Sequence, residues 1–307
     1  MWKEDLMTIS LDEQMSWYRR LATEDPVRQP NRRGTASLID ASARIRAVES
    51  MKTGQSISIA RPLQEGDAPE PGYRLRATVN EATAIFPRHS GSDVLELKCH
   101  GRDNTHVDGL CHVGLDGTWY GGFALDDEDR CSVIDWADTG FFTRAIYIDI
   151  AALRQQEWAD PAEPVADRDL NMALESAGVR FEPGDALLVD MGRDRFEASG
   201  HRITSQFRAP EDHVQTGLGF SAAHWIASHS VSVVCWDFQD AVHPDEPRFA
   251  VHPLNWAIGQ VLVDNCDFAR LRHAFELQEA VHVGALVFAP LPIPGGTGAN
   301  VNPLVLL

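Results

Sequence analysis

Long apolar runs, paired cysteines and clusters of basic residues are all absent from this sequence of 307 residues. No stretch approaches the ~18 apolar residues that span a membrane, and acidic residues occupy the N-terminal region where a secretion signal needs an apolar core. We therefore expect a cytoplasmic protein. The five cysteines are odd in number and lack C-x-x-C spacing, which argues against a disulfide framework and a cysteine-rich zinc module. The sequence also has no P-loop and no G-x-S-x-G nucleophile elbow.

Basic residues are scarce beside the acidic ones. The chain has 27 Lys and Arg against 45 Asp and Glu, which gives a formal net charge of −18. Such a field repels nucleic-acid phosphates and anionic lipid headgroups, so we expect neither nucleic acid nor membrane as a partner and a small molecule as the substrate. An anionic substrate would need a local cation, either an arginine or a metal ion. Hydrophobic residues make up 44% and charged residues 23%, the composition of a folded globular protein.

The order of hydrophobic patterns and turns favours one α/β domain over residues 31–307, preceded by a polar, partly helical arm over residues 1–30. No internal repeat or interdomain linker interrupts the larger part. The arm has a helical apolar stripe over 11–22, and 64–72 is a loop. Further helices are predicted over 38–51, 167–178, 222–229 with Ser221 as N-cap, and 254–275 on both sides of Asp264. Strands are predicted over 55–60, 145–150, 186–189, 231–236 and 284–289.

Chemically active side chains concentrate in residues 99–114. His106 and Asp108 are two apart, so on a strand they share one face. An imidazole and a carboxylate on one face can bind a divalent metal. His112 follows six residues after His106 and could serve beside that metal as a proton carrier, since histidine titrates near pH ~6.5. The alternative is that such a pair, common in proteins, forms ordinary surface or core hydrogen bonds.

The run Thr105-His106-Val-Asp108-Gly-Leu-Cys-His112 resembles the core motif H-x-G-T-H-x-D-x-P-x-H of the cyclase family, the kynurenine formamidase-like metal-dependent hydrolases. Segments from about residue 30 to the end resemble a long-chain branch of that family: 31–39, 51–55, 118–123, 144–149, 217–225 and 294–303. The resemblance implies a mixed α/β fold with a barrel-like sheet flanked by helices, the swivelling β/β/α fold. It also implies a homodimer or homotetramer that hydrolyses amides, lactones or cyclic imide-like rings with Zn²⁺ or Mn²⁺.

The resemblance extends to two further ligands and exposes one departure. His252 and Asp264 stand twelve residues apart, the spacing of the family's downstream His and Glu, with Asp in place of Glu. Alternatively, His252 could simply begin a helix, and Asp264 could lie on the surface of that helix. The family's first histidine falls at Arg102, which has no lone pair and is no ligand. We expect one divalent ion, Zn²⁺ with Mn²⁺ as the alternative, held by His106, Asp108, His252 and Asp264, with Arg102 anchoring a substrate carboxylate.

The resemblance implies a metal-dependent hydrolase, either formamidase-like or a lactonase. In such an enzyme a metal-activated water attacks an amide, a cyclic amide or imide, or a lactone. His112 would relay the proton from the water to the leaving group. Three alternatives stay open. His100 could replace the missing ligand, the chain could be a degenerate non-catalytic relative that binds a small molecule, or it could catalyse a metal-assisted elimination or ring closure. Four aromatic residues are candidate walls of the substrate pocket, with ordinary core packing as the alternative: Trp119, Tyr120, Phe123 and Trp225.

Overall fold

The computed structural model describes residues 10–24, 31–63, 73–85, 88–203, 213–246, 249–275 and 280–307. Within these ranges the α-helices are α1 Leu11–Glu24, α2 Ala41–Ser50, α3 Ile134–Ala137, α4 Ile150–Leu153, α5 Asp167–Ala177, α6 Arg193–Ala198, α7 Phe220–Ser228, α8 Pro253–Ile258 and α9 Ala269–Ala274. The strands are β1 Ser56–Ser58, β2 Tyr73–Asn80, β3 Ser90–Leu97, β4 His106–Asp108, β5 Phe141–Asp149, β6 Ala186–Asp190, β7 Val233–Trp236, β8 Val261–Asp264, β9 Val281–Phe288, β10 Gly298–Asn300 and β11 Leu304–Leu306. Short 3₁₀ helices cover Gly34–Leu38 and Tyr120–Gly122.

The main sheet contains nine strands in the order β1-β11-β9-β5-β6-β7-β8-β4-β10, while β2 and β3 form a separate antiparallel pair. Its centre, β5 to β8, is parallel. The strands on either side of that centre are antiparallel, including β4 and β10. The sheet curls into a half-barrel flanked by helices, which confirms the mixed α/β fold expected from the sequence.

Both faces of the central strands are covered. Along β6, Leu187 and Val189 belong to one hydrophobic cluster, whereas Ala186 and Leu188 belong to the other. This follows from the two-residue period of a strand, which sends neighbouring side chains to opposite faces. Burial on both faces explains why β6 is an almost unbroken apolar run in the sequence, as expected for an interior parallel strand. None of the helices within the described ranges combines the length and the apolarity needed to cross a membrane.

Helices with clear end signals lie where the sequence places them. Helix α5 ends at Gly178, whose left-handed conformation (φ 63°) is the expected C-terminal signal. Asp169 accepts the Ala166 N–H at 2.8 Å from the first turn, so it caps the helix from inside. Helix α1 covers the predicted stripe, and its Tyr18 is fully buried and donates a hydrogen bond to the Ala250 carbonyl. The division of the chain at residue 30 remains a prediction, and residues 1–9, 25–30 and 64–72 lie outside the described ranges.

One predicted helix cap and the middle of one predicted helix are wrong. Helix α7 begins at Phe220 with Gly219 as N-cap, and the Ser221 hydroxyl instead accepts the Asp167 N–H at 3.1 Å. The predicted helical stretch 254–275 is divided, because Gly259 (φ 66°) ends α8 and Val261–Asp264 form the buried strand β8. A short buried strand is as apolar as a helix core, so hydrophobic pattern alone does not separate the two. The correction matters because it places Asp264 at the end of a strand.

Candidate metal centre

Strand pairing brings three of the predicted ligands together. Strand β4 lies between β8 and β10, and its His106 pairs directly with Asp264 at the end of β8. Asp108, two residues on, faces the same side, as the strand period requires. The ligand atoms of His106, Asp108 and Asp264 lie within 4.8 Å of one another, and all three residues are buried. Asp264 is also the last residue of the parallel strand β8. Ligands of α/β proteins bind at the carboxyl ends of such strands.

His252, the fourth predicted ligand, lies immediately before α8 and borders this group. Its Nε2 is 3.4 Å from Asp264 Oδ2 and 3.8 Å from Asp108 Oδ2. Its Nδ1 is hydrogen-bonded to the carboxylate of Asp240, which is fully buried and also accepts the Val251 N–H. A carboxylate behind an imidazole fixes its tautomer and directs the other nitrogen forward, as behind metal-binding histidines. Sequence reasoning missed Asp240, whose one signal is its place just after a buried parallel strand.

Further hydrogen bonds orient the remaining side chains. His106 Nδ1 lies 2.9 Å from the Asn104 carbonyl, which leaves Nε2 facing Asp108 Oδ1 at 3.5 Å and Asp264 Oδ2 at 3.9 Å. Asp264 accepts a hydrogen bond from the Trp236 indole at 2.5 Å and another from the Gln239 side-chain amide. Neither Trp236 nor Gln239 was predicted to belong to the site. These contacts fix the orientation of the imidazole and carboxylate groups.

His100 and His112 complete the cluster. Their rings stack with centroids 3.8 Å apart and an interplanar angle of 10°. His100 Nδ1 lies 3.0 Å from Asp108 Oδ1, and His112 Nε2 lies 3.8 Å from the same oxygen. His100 Nε2 lies 3.0 Å from the Thr297 hydroxyl. The structure therefore brings His100, which the sequence offered only as a possible replacement ligand, into contact with the central carboxylate.

The Asp108 carboxylate is the observation that tests whether these residues fit a metal ion. Both of its oxygens are buried and have no hydrogen-bond partner in the described part of the chain, and the same holds for His100 Nδ1. A buried carboxylate needs positive charge beside it, either protonated imidazoles or a cation, because removing the partner of a buried charge costs about 3–5 kcal/mol. Imidazole nitrogens and carboxylate oxygens are ligands that Zn²⁺ and Mn²⁺ accept. The donor set fits a divalent cation.

Charge coupling within the cluster changes several pKa values. Burial acts to lower the pKa of His106, but Asp108 and Asp264 outweigh it and raise that pKa to about 9. Burial likewise opposes the shift at His252, yet Asp240 and Asp264 raise its pKa well above the usual value. The pKa of Asp108 is held well below its usual range by the neighbouring imidazoles, against the effect of burial. Without a cation, protons on the imidazoles therefore balance the carboxylates.

His112 differs from its neighbours in charge and exposure. Burial, with His100 and His252 nearby, lowers its pKa, although Asp108 acts in the opposite direction. Its side chain is 29% exposed, whereas Asp108 is completely buried. His112 thus touches both the central carboxylate and the space outside the cluster.

Arg102 lies half-buried beside the cluster. Burial and the Arg193 guanidinium lower its pKa to about 10, while Asp264 and Asp240 act to raise it. Arg193 also donates a hydrogen bond to the Arg102 backbone carbonyl. No carboxylate among the described residues pairs with the Arg102 guanidinium, so its charge is available to a ligand. The anchoring role of Arg102 remains a prediction.

The four aromatic candidates do not contact the cluster through any described interaction. Trp225 lies in the hydrophobic core, where it stacks on His229 and donates to Asn171 Oδ1 at 2.8 Å, and its place in a pocket wall remains a prediction. The other three lie in a turn that packs beside α8: Tyr120 is buried, Trp119 donates to the Leu125 carbonyl, and Phe123 lies under Arg32. A substrate-binding role for these three remains a prediction.

The fold and the cluster define a mixed α/β protein with a buried His/Asp cluster that could hold a cation. The chain belongs to the cyclase family, because the family model described as "Putative cyclase" matches residues 15–241. The match ends before His252 and Asp264, so their inclusion rests on the geometry above.

Solved structures share the fold. A crystal structure of a novel cyclase aligns with TM-score 0.74 and 18% identity, over 90% of this chain and 96% of that chain. An isatin hydrolase bound to the product analogue thioisatinate aligns with TM-score 0.56 and 17% identity, over 87% of this chain and 99% of that one. Isatin hydrolase A from Ralstonia solanacearum gives TM-score 0.54 and 16% identity, over 82% and 91%. A search of curated protein sequences gives no match.

Proposed function

We propose that the chain is a metal-dependent hydrolase that cleaves the acyl C–N or C–O bond of an amide, a cyclic amide or imide, or a lactone. The observation that carries this proposal is the Asp108 carboxylate, buried and without hydrogen bonds among imidazoles on both of its oxygens. Membership of the cyclase family supports it. So does the likeness to structures named isatin hydrolases, since isatin contains a cyclic amide.

Four side chains would hold the ion: His106, Asp108, His252 and Asp264. Two nitrogen and two oxygen donors suit Zn²⁺, with Mn²⁺ as the alternative. When bound, a divalent cation acts as a Lewis acid that polarises a carbonyl group and makes water a stronger nucleophile. Asp240 holds His252 in the tautomer that presents Nε2 to the ion, and the Asn104 carbonyl does the same for His106.

His112 is the residue we assign to proton transfer. It lies 3.8 Å from the central carboxylate and is partly exposed, so a bound substrate can reach it. Its ring accepts a proton from the attacking water and returns one to the departing nitrogen or oxygen. Such a relay contributes about 10²–10⁴-fold to the rate. Stacking on His100 fixes the plane of the ring while these transfers occur.

Arg102 is the residue we assign to substrate anchoring. Its guanidinium has no carboxylate partner among the described residues and lies in the field of Asp264 and Asp240. A planar guanidinium binds a carboxylate through two parallel hydrogen bonds. A substrate with a carboxylate, or one that gains a carboxylate on hydrolysis, matches this cation in a chain that is otherwise strongly acidic.

The experiment is to remove metal with a chelator, restore Zn²⁺ or Mn²⁺, and assay lactones, aryl amides and cyclic imides. We expect activity only with metal restored. His112→Ala should reduce kcat by about 10²–10⁴-fold while the metal content is unchanged. His229→Ala is the matched control, because His229 is also a partly exposed histidine stacked on an aromatic ring, in the core region of Trp225. A metal-loaded protein that hydrolyses none of these classes, or a His112→Ala variant with full turnover, would contradict the proposal.

A further inference from the structure

Helix α1 contacts two loops that lead to the candidate metal centre, although none of its residues belongs to the cluster. Its Arg19 guanidinium donates two hydrogen bonds to the Asp116 carboxylate, at 2.7 and 2.8 Å. The adjacent Tyr18 is fully buried and donates its hydroxyl proton to the Ala250 carbonyl. Successive residues of a helix point about 100° apart, so α1 holds the two loops from different parts of its surface.

The loop after His112 ends in a tight turn that presents Asp116 to α1. Leu115 and Thr118 exchange both backbone hydrogen bonds at 3.0 Å. The two residues between them have positive φ, 51° at Asp116 and 75° at Gly117. These values match a type I′ turn, for which Asp-Gly is a preferred sequence. The turn therefore moves as a unit, and a shift of Asp116 displaces the segment that begins at His112.

The loop before His252 is held in a conformation that it would not adopt freely. Phe249 has φ 61°, a left-handed value that is unfavourable for a bulky residue. Such a conformation persists only where the surrounding structure over-determines it. The Tyr18 hydroxyl on the next carbonyl, at Ala250, supplies one restraint. The Asp240 carboxylate behind His252 supplies another, so α1 shares with Asp240 the placing of His252.

A contact between α8 and the turn closes this arrangement. Trp256 of α8 donates its indole N–H to the Thr118 hydroxyl at 3.1 Å. Helix α1 packs along α8, so α1, α8 and the turn each touch the other two. His252 immediately precedes α8, and His112 precedes the turn. The two histidines therefore belong to one connected group of elements, and their separation depends on α1.

We propose that α1 positions the proton relay, with Arg19 as the positioning residue that acts on His112 through Asp116. This inference rests on the proposed hydrolase, because it concerns the reach of His112 towards a substrate at the cluster. A misplacement of about 1 Å caused by a distant change can cost about 10²-fold in rate. The ion pair is exposed on both sides (51% and 45%), so it contributes little to stability. Loss of the pair should therefore reduce turnover much more than folding.

The test compares Arg19→Ala with Arg20→Ala, which removes the same charge from the next residue of α1. Arg20 has no ion pair among the residues that the structure describes. We expect kcat to fall about tenfold or more in Arg19→Ala, with KM, metal content and the denaturation midpoint unchanged, and to stay at the wild-type value in Arg20→Ala. Asp116→Asn keeps a residue that tolerates positive φ and should give the same fall. The double variant Arg19→Ala/Asp116→Asn should be no slower than either single one, because both changes break one contact.

Amide hydrogen exchange, followed by mass spectrometry, gives a readout that needs no substrate. Exchange over residues 112–118 should be faster in Arg19→Ala and Asp116→Asn than in the wild type and Arg20→Ala. Unchanged exchange, or unchanged kcat in an active enzyme, overturns the positioning role. A fall in kcat that is matched by an equal loss of folded protein also overturns it, because Arg19 is then merely structural. A wild type that turns over none of the substrate classes with metal restored overturns the proposed function instead, and the exchange rates then decide whether α1 holds the segment of His112.

Discussion

The carboxylate of Asp240 offers a sharp test because it holds His252 from behind and is not itself among the proposed ligands. It is fully buried and holds His252 Nδ1, and it accepts the backbone N–H groups of Val251 and His252. Asp240→Asn keeps the size of the side chain and one acceptor oxygen. The new amide NH₂, however, is a donor, so it cannot accept the Nδ1 proton of His252. It therefore favours the tautomer of His252 in which Nδ1 is the acceptor. In that tautomer Nε2 carries the proton and has no lone pair for a cation.

The expected magnitude follows from this geometry. Loss of the carboxylate behind a metal-binding histidine lowers metal affinity about 10–100-fold, which is about 1.4–2.7 kcal/mol. The backbone acceptor is retained, so the free energy of unfolding without metal should change much less than metal binding does. Competition with a chromophoric chelator measures the dissociation constant of Zn²⁺ or Mn²⁺.

The control is Asp245→Asn, which removes the same charge from an exposed side chain five residues further along (68% exposed). It should leave metal affinity unchanged. If Asp240→Asn binds metal within about twofold of the wild type, then His252 does not ligate the ion, and the ligand set proposed here is wrong.

Three further predictions concern the anchoring of helix α1, the pH dependence of metal binding and the role of Arg102. Tyr18→Phe should lower the free energy of unfolding by about 1–2 kcal/mol, because it leaves the Ala250 carbonyl without its buried donor; chemical denaturation measures this, and an unchanged midpoint would contradict it. Metal affinity should rise with pH between about 6 and 8, because a cation must displace the proton of His106, whose pKa is about 9 without metal; calorimetry in two buffers should show proton release, and pH-independent binding would refute this. Arg102→Ala should raise KM for carboxylated substrates more than for neutral analogues, and equal effects on both would rule out anchoring.

Local sequence signals predict the elements that are determined by interactions between residues close in sequence, such as helix ends and the alternation of side chains along a strand. Helix α5 has an aspartate in its first turn and Gly178 at its end, and both signals lie within a few residues of the structure they specify. The period of a strand likewise places His106 and Asp108 on one face. The sequence of strand β8 suggests a helix because its first three residues, Val261, Leu262 and Val263, are apolar on both faces, and its parallel pairing with β7 identifies it as a strand.

The metal centre is predictable only in part because its members meet through the sheet. The spacing in the motif indicates His106, Asp108 and His112, whereas Asp240 acts from behind His252 and carries no motif of its own. His100 reaches Asp108 because β10 runs beside β4 with Gly298 at the contact point. That proximity depends on residues almost two hundred positions apart, so the sequence offers His100 as a possible ligand without placing it.

Metal content tests the central claim most directly. The wild type and Asp108→Asn are purified without added metal or chelator and analysed by elemental mass spectrometry. Asp108 contributes the buried carboxylate that the surrounding imidazoles face, so we expect at least one Zn or Mn per chain in the wild type and essentially none in the variant. A wild type that holds no divalent metal even after Zn²⁺ and Mn²⁺ are offered, or a variant that holds as much as the wild type, would contradict the account.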